Sequence, residues 1–362
     1  MHKWRYAILG VVVVLLVYLL LWPVPIDPVG WTPPEDPGLT GPYDVNNVLA
    51  EADLYPLAGG HGPEDTVLGP DGLIYTGLAD GSVVRFSPDN GGTLEAIVNT
   101  GGRPLGLEFD DNRLYIADAF MGLVYVNNAT AASGHQVQLA TDEVNGEKMI
   151  FVDDLDIASN GTVWFTDAST RFDQHDYVLD ITESRPSGRL LSWNPDTGET
   201  TVHVEELGFA NGVTLGPGEN YVLVNETMRY RIRRYWLTGE KAGQTDIFVD
   251  NLPGFPDNLS YNGEDLFWVA LVYPRDRTID SVMPRPFLRK IIMRLPEALR
   301  VSEPDPLALV IALDHNGDVV HNLQDHSGHY HTVTSVNEAD GCLWLGSLIQ
   351  PHAARIPVPQ AN

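Results

Sequence analysis

Six short apolar runs recur along the chain, rich in β-branched and aromatic residues and bounded by Gly, Asn or Asp. They are Leu73-Ile74-Tyr75-Thr76, Leu114-Tyr115-Ile116, Thr162-Val163-Trp164-Phe165, Tyr221-Val222-Leu223-Val224, Leu266-Phe267-Trp268-Val269 and Cys342-Leu343-Trp344-Leu345. Runs this short between turn formers read as strands. Most are followed by a second strand with its own turn, as in Gly81–Phe86 and Gly188–Trp193. A third often follows a Pro-Asp-x-Gly turn, either Pro88-Asp89-Asn90-Gly91 or Pro195-Asp196-Thr197-Gly198. Strands alone, repeating at roughly 40–60 residues, predict a β-propeller, and six copies predict six blades. The expected fold is therefore all-β. Such a fold brings the equivalent position of every blade to one central channel, so residues distant in sequence become neighbours.

The N-terminus breaks this pattern. Behind the basic tip of Lys3 and Arg5, the stretch from Ala7 to Trp22 is almost wholly apolar. With Tyr6 and the residues up to Ile26 it reaches the roughly 20 needed to span a bilayer. Pro23, Val24 and Pro25 follow where a cleavable leader would carry small residues, so the segment reads as an uncleaved signal anchor. Lys3 and Arg5 would stay in the cytoplasm, which places the propeller on the extracytoplasmic side as a single-pass membrane protein. Residues 1–26 are thus a cytoplasmic tip and anchor helix, and 27–40 a Pro-rich, extended spacer. The propeller is expected over 41–362.

Charge changes the picture by exclusion. Asp and Glu number 49 against 22 Lys and Arg, a formal charge of -27. A domain this acidic repels nucleic acid and anionic lipid head groups, so neither is an expected partner. The single cysteine, Cys342, excludes an intrachain disulfide and reads as a small buried hydrophobe on an inner strand.

Some of the acid is placed for chemistry. Upstream of the strand turns, at similar offsets, stand Glu64 in blade one, Asp153 and Asp154 in blade three, Asn211 in blade four, and Asp257 with Asn258 in blade five. Each group opens an innermost strand, and its side chains are expected to converge at one end of the channel. A single Asp or Asn there is ordinarily a turn cap. Four groups in register on four blades instead describe a hard-oxygen site for Ca²⁺, which takes about 6–8 such donors.

At these residues the chain resembles the strictosidine synthase-like family of calcium-dependent six-bladed propellers, in particular its membrane-anchored, adipocyte plasma membrane-associated protein-like branch. The markers are Gly208-Phe209-Ala210-Asn211-Gly212-Val213, Gly254-Phe255-Pro256-Asp257-Asn258, Phe267-Trp268-Val269-Ala270 and Gly341-Cys342-Leu343-Trp344-Leu345-Gly346-Ser347. Gluconolactonases and paraoxonases are related propellers. The resemblance implies an axial Ca²⁺ held by Glu64, Asp153, Asn211, Asp257 and Asn258, with Asp153 standing where relatives often carry Asn.

Genuine strictosidine synthases use a glutamate on the last inner strand to handle an amine; the corresponding place here is Thr334. Threonine cannot act as that base, so amine condensation is not expected. The resemblance then implies hydrolysis of esters or lactones, with Asp257 as the catalytic carboxylate and Asp154 as the second candidate. The alternative is a non-catalytic propeller with structural calcium that binds a ligand or partner. Four histidines near the last blade, His321, His326, His329 and His331, offer a competing base. The long segments from Ser169 to Ser187 and from Tyr273 to Pro286 are expected to overhang the channel, with Phe172, His175, Tyr177 and Phe287 as lining candidates.

Overall fold

The computed structural model describes residues 2–89, 94–296, 299–300 and 306–360. Six four-stranded antiparallel sheets form the six blades. The recurrent apolar runs are the second strands of the blades: Ile74–Gly77, Arg113–Asp118, Val163–Asp167, Tyr221–Glu226, Phe267–Pro274 and Cys342–Ser347. Their innermost partners are Thr66–Leu68, Pro104–Asp110, Val152–Ile157, Ala210–Leu215, Gly254–Tyr261 and Val333–Ala339. The turn Pro195–Gly198 joins the third and fourth strands of blade three. The equivalent Asn90-Gly91 in blade one lies outside the described residues.

Alternation along each strand sends side chains to both faces of its sheet, and both faces are covered because each blade lies between two others. The apolar clusters accordingly sit between blades. Tyr115, Ala117 and Leu123 of blade two pack on Val152, Leu155 and Phe165 of blade three. Trp268 and Val310 of blade five pack on Val336 and Leu345 of blade six. Burial on both faces explains why the second strands read as unbroken apolar runs rather than alternating ones.

The ring is closed by a device the repeats do not announce. Blade six takes its outermost strand from the start of the chain: Asp53–Pro56 pairs antiparallel with His352–Pro357, Leu54 opposite Ala354. The preceding segment is tied to the outer strand of blade five, where the Gln324 side chain donates to the Tyr43 carbonyl at 3.0 Å. Cys342 opens a second strand, not an innermost one, and is half-buried.

An apolar helix spans His2–Leu21 and carries no buried residue within its membrane-length window. The Pro-rich stretch after it is extended but does not stand clear of the propeller. Ile26 is 3 % exposed, and the backbone N–H groups of Val29 and Trp31 donate to the carbonyls of Glu183 and Met283 at 3.0 and 3.2 Å. The Arg229 guanidinium lies over the Trp31 ring, 4.6 Å from its centroid. The long segments expected to overhang the channel carry the short helices of the domain: Tyr177–Glu183, and Arg277–Val282 with Pro286–Ile292.

Candidate metal centre

Each inner strand enters from the face that bears these helices, and the register shows how its first residues are aimed. In blades two to six the pairing of the first and second strands is interrupted near its start, between Pro104 and Leu107, Val152 and Leu155, Ala210 and Val213, Pro256 and Leu259, and Val333 and Val336. Asp153-Asp154, Asn211-Gly212 and Asp257-Asn258 all fall in these interruptions. A bulge places two residues opposite one and re-aims side chains that a regular ladder would alternate. Close approach of neighbouring inner strands is made possible by glycine: a Cβ on Gly212 would come within 2.6 Å of the Asn258 Cα and the Asp257 carbonyl.

Five of the candidate ligands are brought together. Glu64, Asp153, Asn211, Asp257 and Asn258 are all buried, none more than 7 % exposed. The Asn258 amide reaches across to Glu64, its Nδ2 3.2 Å from Oε1 and 3.3 Å from Oε2. The Asn211 side chain acts to lower the Asp257 pKa, against the larger effect of burial. The carboxylates themselves repel. Burial, then the charges of Asp257 and Asp153, push Glu64 well above the usual carboxylate range. Burial and the Asp257 charge do the same to Asp153. Asp257 is pushed up to about 7, chiefly by burial.

A cation fits this set. The Oδ1 atoms of Asn211 and Asn258 are buried without any hydrogen-bond partner, a state that costs about 1–3 kcal/mol per group. Two uncompensated amide oxygens beside three carboxylates are a hard-oxygen donor set of the kind Ca²⁺ takes. The set is mixed: among the described residues no three His, Cys, Asp or Glu side chains by themselves form a metal-holding group.

Asp154 is not brought to this cluster. Its Oδ2 accepts from the backbone N–H of Val213 in blade four at 2.8 Å, and the charge of Asp65 acts on it more than that of Asp153. Asp65 does the equivalent in blade one, accepting from the Leu107 N–H of blade two at 3.0 Å. These two carboxylates pin neighbouring blades. Thr334, in the place of the amine-handling glutamate, donates its hydroxyl to the backbone carbonyl of Glu64 at 2.6 Å. The histidines are engaged elsewhere: His326 with Gln324, His329 with the Ala52 carbonyl, His331 with Thr332, and His321 stacked on Trp268.

Three residues at the site escaped sequence reasoning or were only partly seen. Arg103 immediately precedes the inner strand of blade two, donates to the Gly62 carbonyl at 2.8 Å, and is close enough to Glu64 and Asp153 for their charges to act on it. A search for acidic and amide side chains passes over it, although it occupies the equivalent offset. Tyr177, named above as a lining candidate, and Tyr273 both lie within the field of Asp257, and burial raises the pKa of both phenols. Phe151, Phe209, Met228 and Leu105, with Phe120 and Ile181 packed against them, form an apolar cluster beside the mouth. His175 stacks on Phe120, with ring centroids 4.6 Å apart.

Comparisons with known proteins agree with this architecture. Two family models match, strictosidine synthase over residues 153–240 and the N-terminal region of strictosidine synthase-like proteins over residues 41–86. The adipocyte plasma membrane-associated protein of Salmo salar is 35% identical, with 94% of this chain and 86% of that protein covered. Strictosidine synthase-like 4 of Arabidopsis thaliana is 32% identical over 89% of this chain and 88% of its own length. Among solved structures, a gluconolactonase of Xanthomonas campestris superposes with a TM-score of 0.59 at 14% identity, covering 85% of this chain and 90% of that one. Regucalcin of Agrobacterium tumefaciens, a calcium-binding protein, gives 0.53 at 13% identity, with 82% and 93% covered. At such identities the structural likeness speaks for the fold. The relatives go further: the chain belongs to the strictosidine synthase-like family of six-bladed propellers that includes the adipocyte plasma membrane-associated proteins.

Proposed function

We propose that this chain is a membrane-anchored, calcium-dependent hydrolase of esters or lactones. The observation that carries the reading is the mouth of the channel, where the charges of Glu64, Asp153 and Asp257 act on one another beside two partnerless amide oxygens. The gluconolactonase fold neighbours support it as examples of catalysis on this architecture. The apolar helix and the plasma-membrane relatives support the anchor. Glu64, Asp153, Asn211, Asp257 and Asn258 would hold the ion. When bound, calcium supplies Lewis acidity toward a carbonyl or phosphoryl oxygen.

The chain's own residues divide the remaining work. Asp257 is the carboxylate that either takes a proton from water or attacks the carbonyl itself, and a cation held beside it would keep it ionised. Tyr177 and Tyr273 stand beside Asp257 as hydroxyl donors for the substrate oxygen. The buried apolar cluster of Phe151, Phe209 and Met228 keeps water from the mouth, and Phe120, partly exposed at its edge, offers a surface to an acyl or aryl group. With Thr334 in the glutamate place, and its hydroxyl committed to the Glu64 carbonyl, amine condensation has no base there.

The test is turnover of a panel of aryl esters, lactones and phosphotriesters by the full chain in detergent, with calcium and with a chelator. Calcium-dependent turnover that disappears in Asp257→Asn is expected. A folded, calcium-loaded protein that turns over nothing on the panel makes the channel a binding module with structural calcium.

A further inference from the structure

The average charge of the chain conceals a local inversion. Residues 275–300 contain seven Lys or Arg (Arg275, Arg277, Arg285, Arg289, Lys290, Arg294, Arg300) against three Asp or Glu. That is a net +4 within a chain of -27, although Arg275, Arg289 and Arg294 are buried and the basic residues left at the surface are Arg277, Arg285, Lys290 and Arg300, beside Asp276 and Asp280. The segment holds the helices Arg277–Val282 and Pro286–Ile292, and it exposes large apolar side chains as well: Phe287 is 60 % and Leu299 70 % exposed. Val178, on the adjoining helix Tyr177–Glu183, is half exposed. Cationic residues beside exposed apolar ones on short helices are the composition of an interfacial segment. Arg277 and Arg285 make no ion pair among the described residues.

The anchor ends at this segment. The Arg294 guanidinium donates to the carbonyls of Trp22 and Leu19, at 2.6 and 2.9 Å, capping the C-terminal end of the apolar helix. The tether is short. Leu21 ends the helix and Ile26 is already buried on the propeller, five residues later. Five residues reach at most about 18 Å when fully extended. Whatever tilt the anchor takes, the surface that holds Ile26 therefore stays within that distance of the bilayer interface. Beyond Ile26 the chain is fastened by the Asp27 N–H to Glu183 Oε2 at 2.6 Å and by the Val29 and Trp31 N–H groups.

The same surface roofs the carboxylate cluster. Arg289 donates to the carbonyls of Thr182 and Glu183 at 2.7 and 3.0 Å, which joins the helix Pro286–Ile292 to the helix whose first residue, Tyr177, stands by Asp257. The opposite face of the propeller bears the turns between first and second strands. These carry Asp71, Asp111, Glu219, Glu264 and Asp340. The near face carries exposed apolar and basic side chains at this segment, and the far-face turns are acidic.

We propose that the face bearing these helices lies on the bilayer, with Phe287 in the interface, so that the channel mouth opens toward the membrane and the site draws lipophilic esters or lactones from it. The proposal rests on the anchored-hydrolase reading above and adds the orientation of the domain and the class of substrate. The broad acidity of the chain is compatible with it because screening confines charge effects to about 10 Å at ordinary ionic strength, so the lipid meets only the near face.

The experiment uses the full chain in vesicles of phosphatidylcholine and phosphatidylglycerol. Cys342→Ser removes the native thiol, and a fluorophore is attached at Phe287→Cys or, on the far face, at Glu264→Cys. A lipid-borne quencher is expected to remove the emission of the probe at position 287 and spare that at 264. Aqueous iodide should do the reverse. Vesicle-bound protein with both probes quenched only by iodide overturns the orientation while leaving the anchor in place. A probe at 287 shielded from both quenchers also overturns it, since protein then covers the face. Protein that fails to float with the vesicles overturns the orientation together with the anchor.

Discussion

Asn258 reaches across the channel to Glu64, its amide nitrogen 3.2 Å from Oε1, while its own Oδ1 is left buried and without a partner. Each half of that relationship suits a cation: the charges of Asp257 and Asp153 act on the carboxylate, and the amide oxygen has no partner. Without calcium the cluster is a source of strain. Burial and mutual repulsion both disfavour the ionised carboxylates of Glu64 and Asp153. Glu64→Gln and Asp257→Asn are therefore expected to raise the melting temperature of the chelated protein. Calcium at a hundredfold excess over its dissociation constant should stabilise the native chain by about 2.7 kcal/mol and the variants far less. Thermal unfolding with and without chelator reads both effects.

Adjacent aspartates should behave differently. Asp153 faces the cluster, whereas Asp154 accepts from the Val213 N–H of the next blade. Asp154→Ala leaves that buried N–H without its partner and is expected to cost about 1–3 kcal/mol of stability, with calcium dependence retained. Asp153→Ala should weaken calcium binding instead. Denaturant midpoints and calcium titrations of the two variants distinguish these roles; equal loss of calcium binding in both would return Asp154 to the site.

Gly212 lets blade four approach blade five. A Cβ there meets the backbone of Asp257, Asn258 and Leu259 within 2.6 Å, where no flexible side chain can yield. Gly212→Ala is expected to destabilise by about 1–3 kcal/mol or more and to displace Asp257 and Asn258 together. Calcium affinity should fall with stability. A variant as stable as the parent would show that the inner strands have slack.

The helix Tyr177–Glu183 carries a pH-sensitive group. Asp180 is fully buried, neither carboxylate oxygen has a hydrogen-bond partner, and burial pushes it up to about 7 from an ordinary value of 3.8. A carboxyl whose pKa is raised by folding stabilises the fold while protonated. That contribution is complete below about pH 4 and is lost as pH climbs through about 7. Asp180→Asn should therefore raise the melting temperature at about pH 8 and change it little at about pH 4. Paired thermal scans at the two pH values check the sign.

Blade number and strand identity were legible because each blade repeats the same burial: Trp164, Trp268 and Trp344 occupy corresponding second strands packed on both sides. Glu64, Asp153, Asn211, Asp257 and Asn258 could be picked out because one offset recurs across blades. The separation of Asp154 from Asp153 could not, since it depends on a bulge between Val152 and Leu155 that no residue type signals. The closing strand Asp53–Pro56 was also hidden, because its partner His352–Pro357 lies about three hundred residues away. Arg103 was missed for a chemical reason: a cation among carboxylates does not look like a ligand. The Pro-rich stretch reads as a free spacer by composition, yet Trp31 finds Tyr230 and Arg229 on the propeller surface.

Calorimetric titration of the full chain in detergent with calcium, beside the double variant Glu64→Gln, Asp257→Asn, tests the central claim most directly. The native chain is expected to bind calcium at its channel mouth and the double variant to lose that binding while remaining folded. A native chain that takes up no calcium, or a double variant that binds it equally well, would contradict the assignment of these residues as a metal centre.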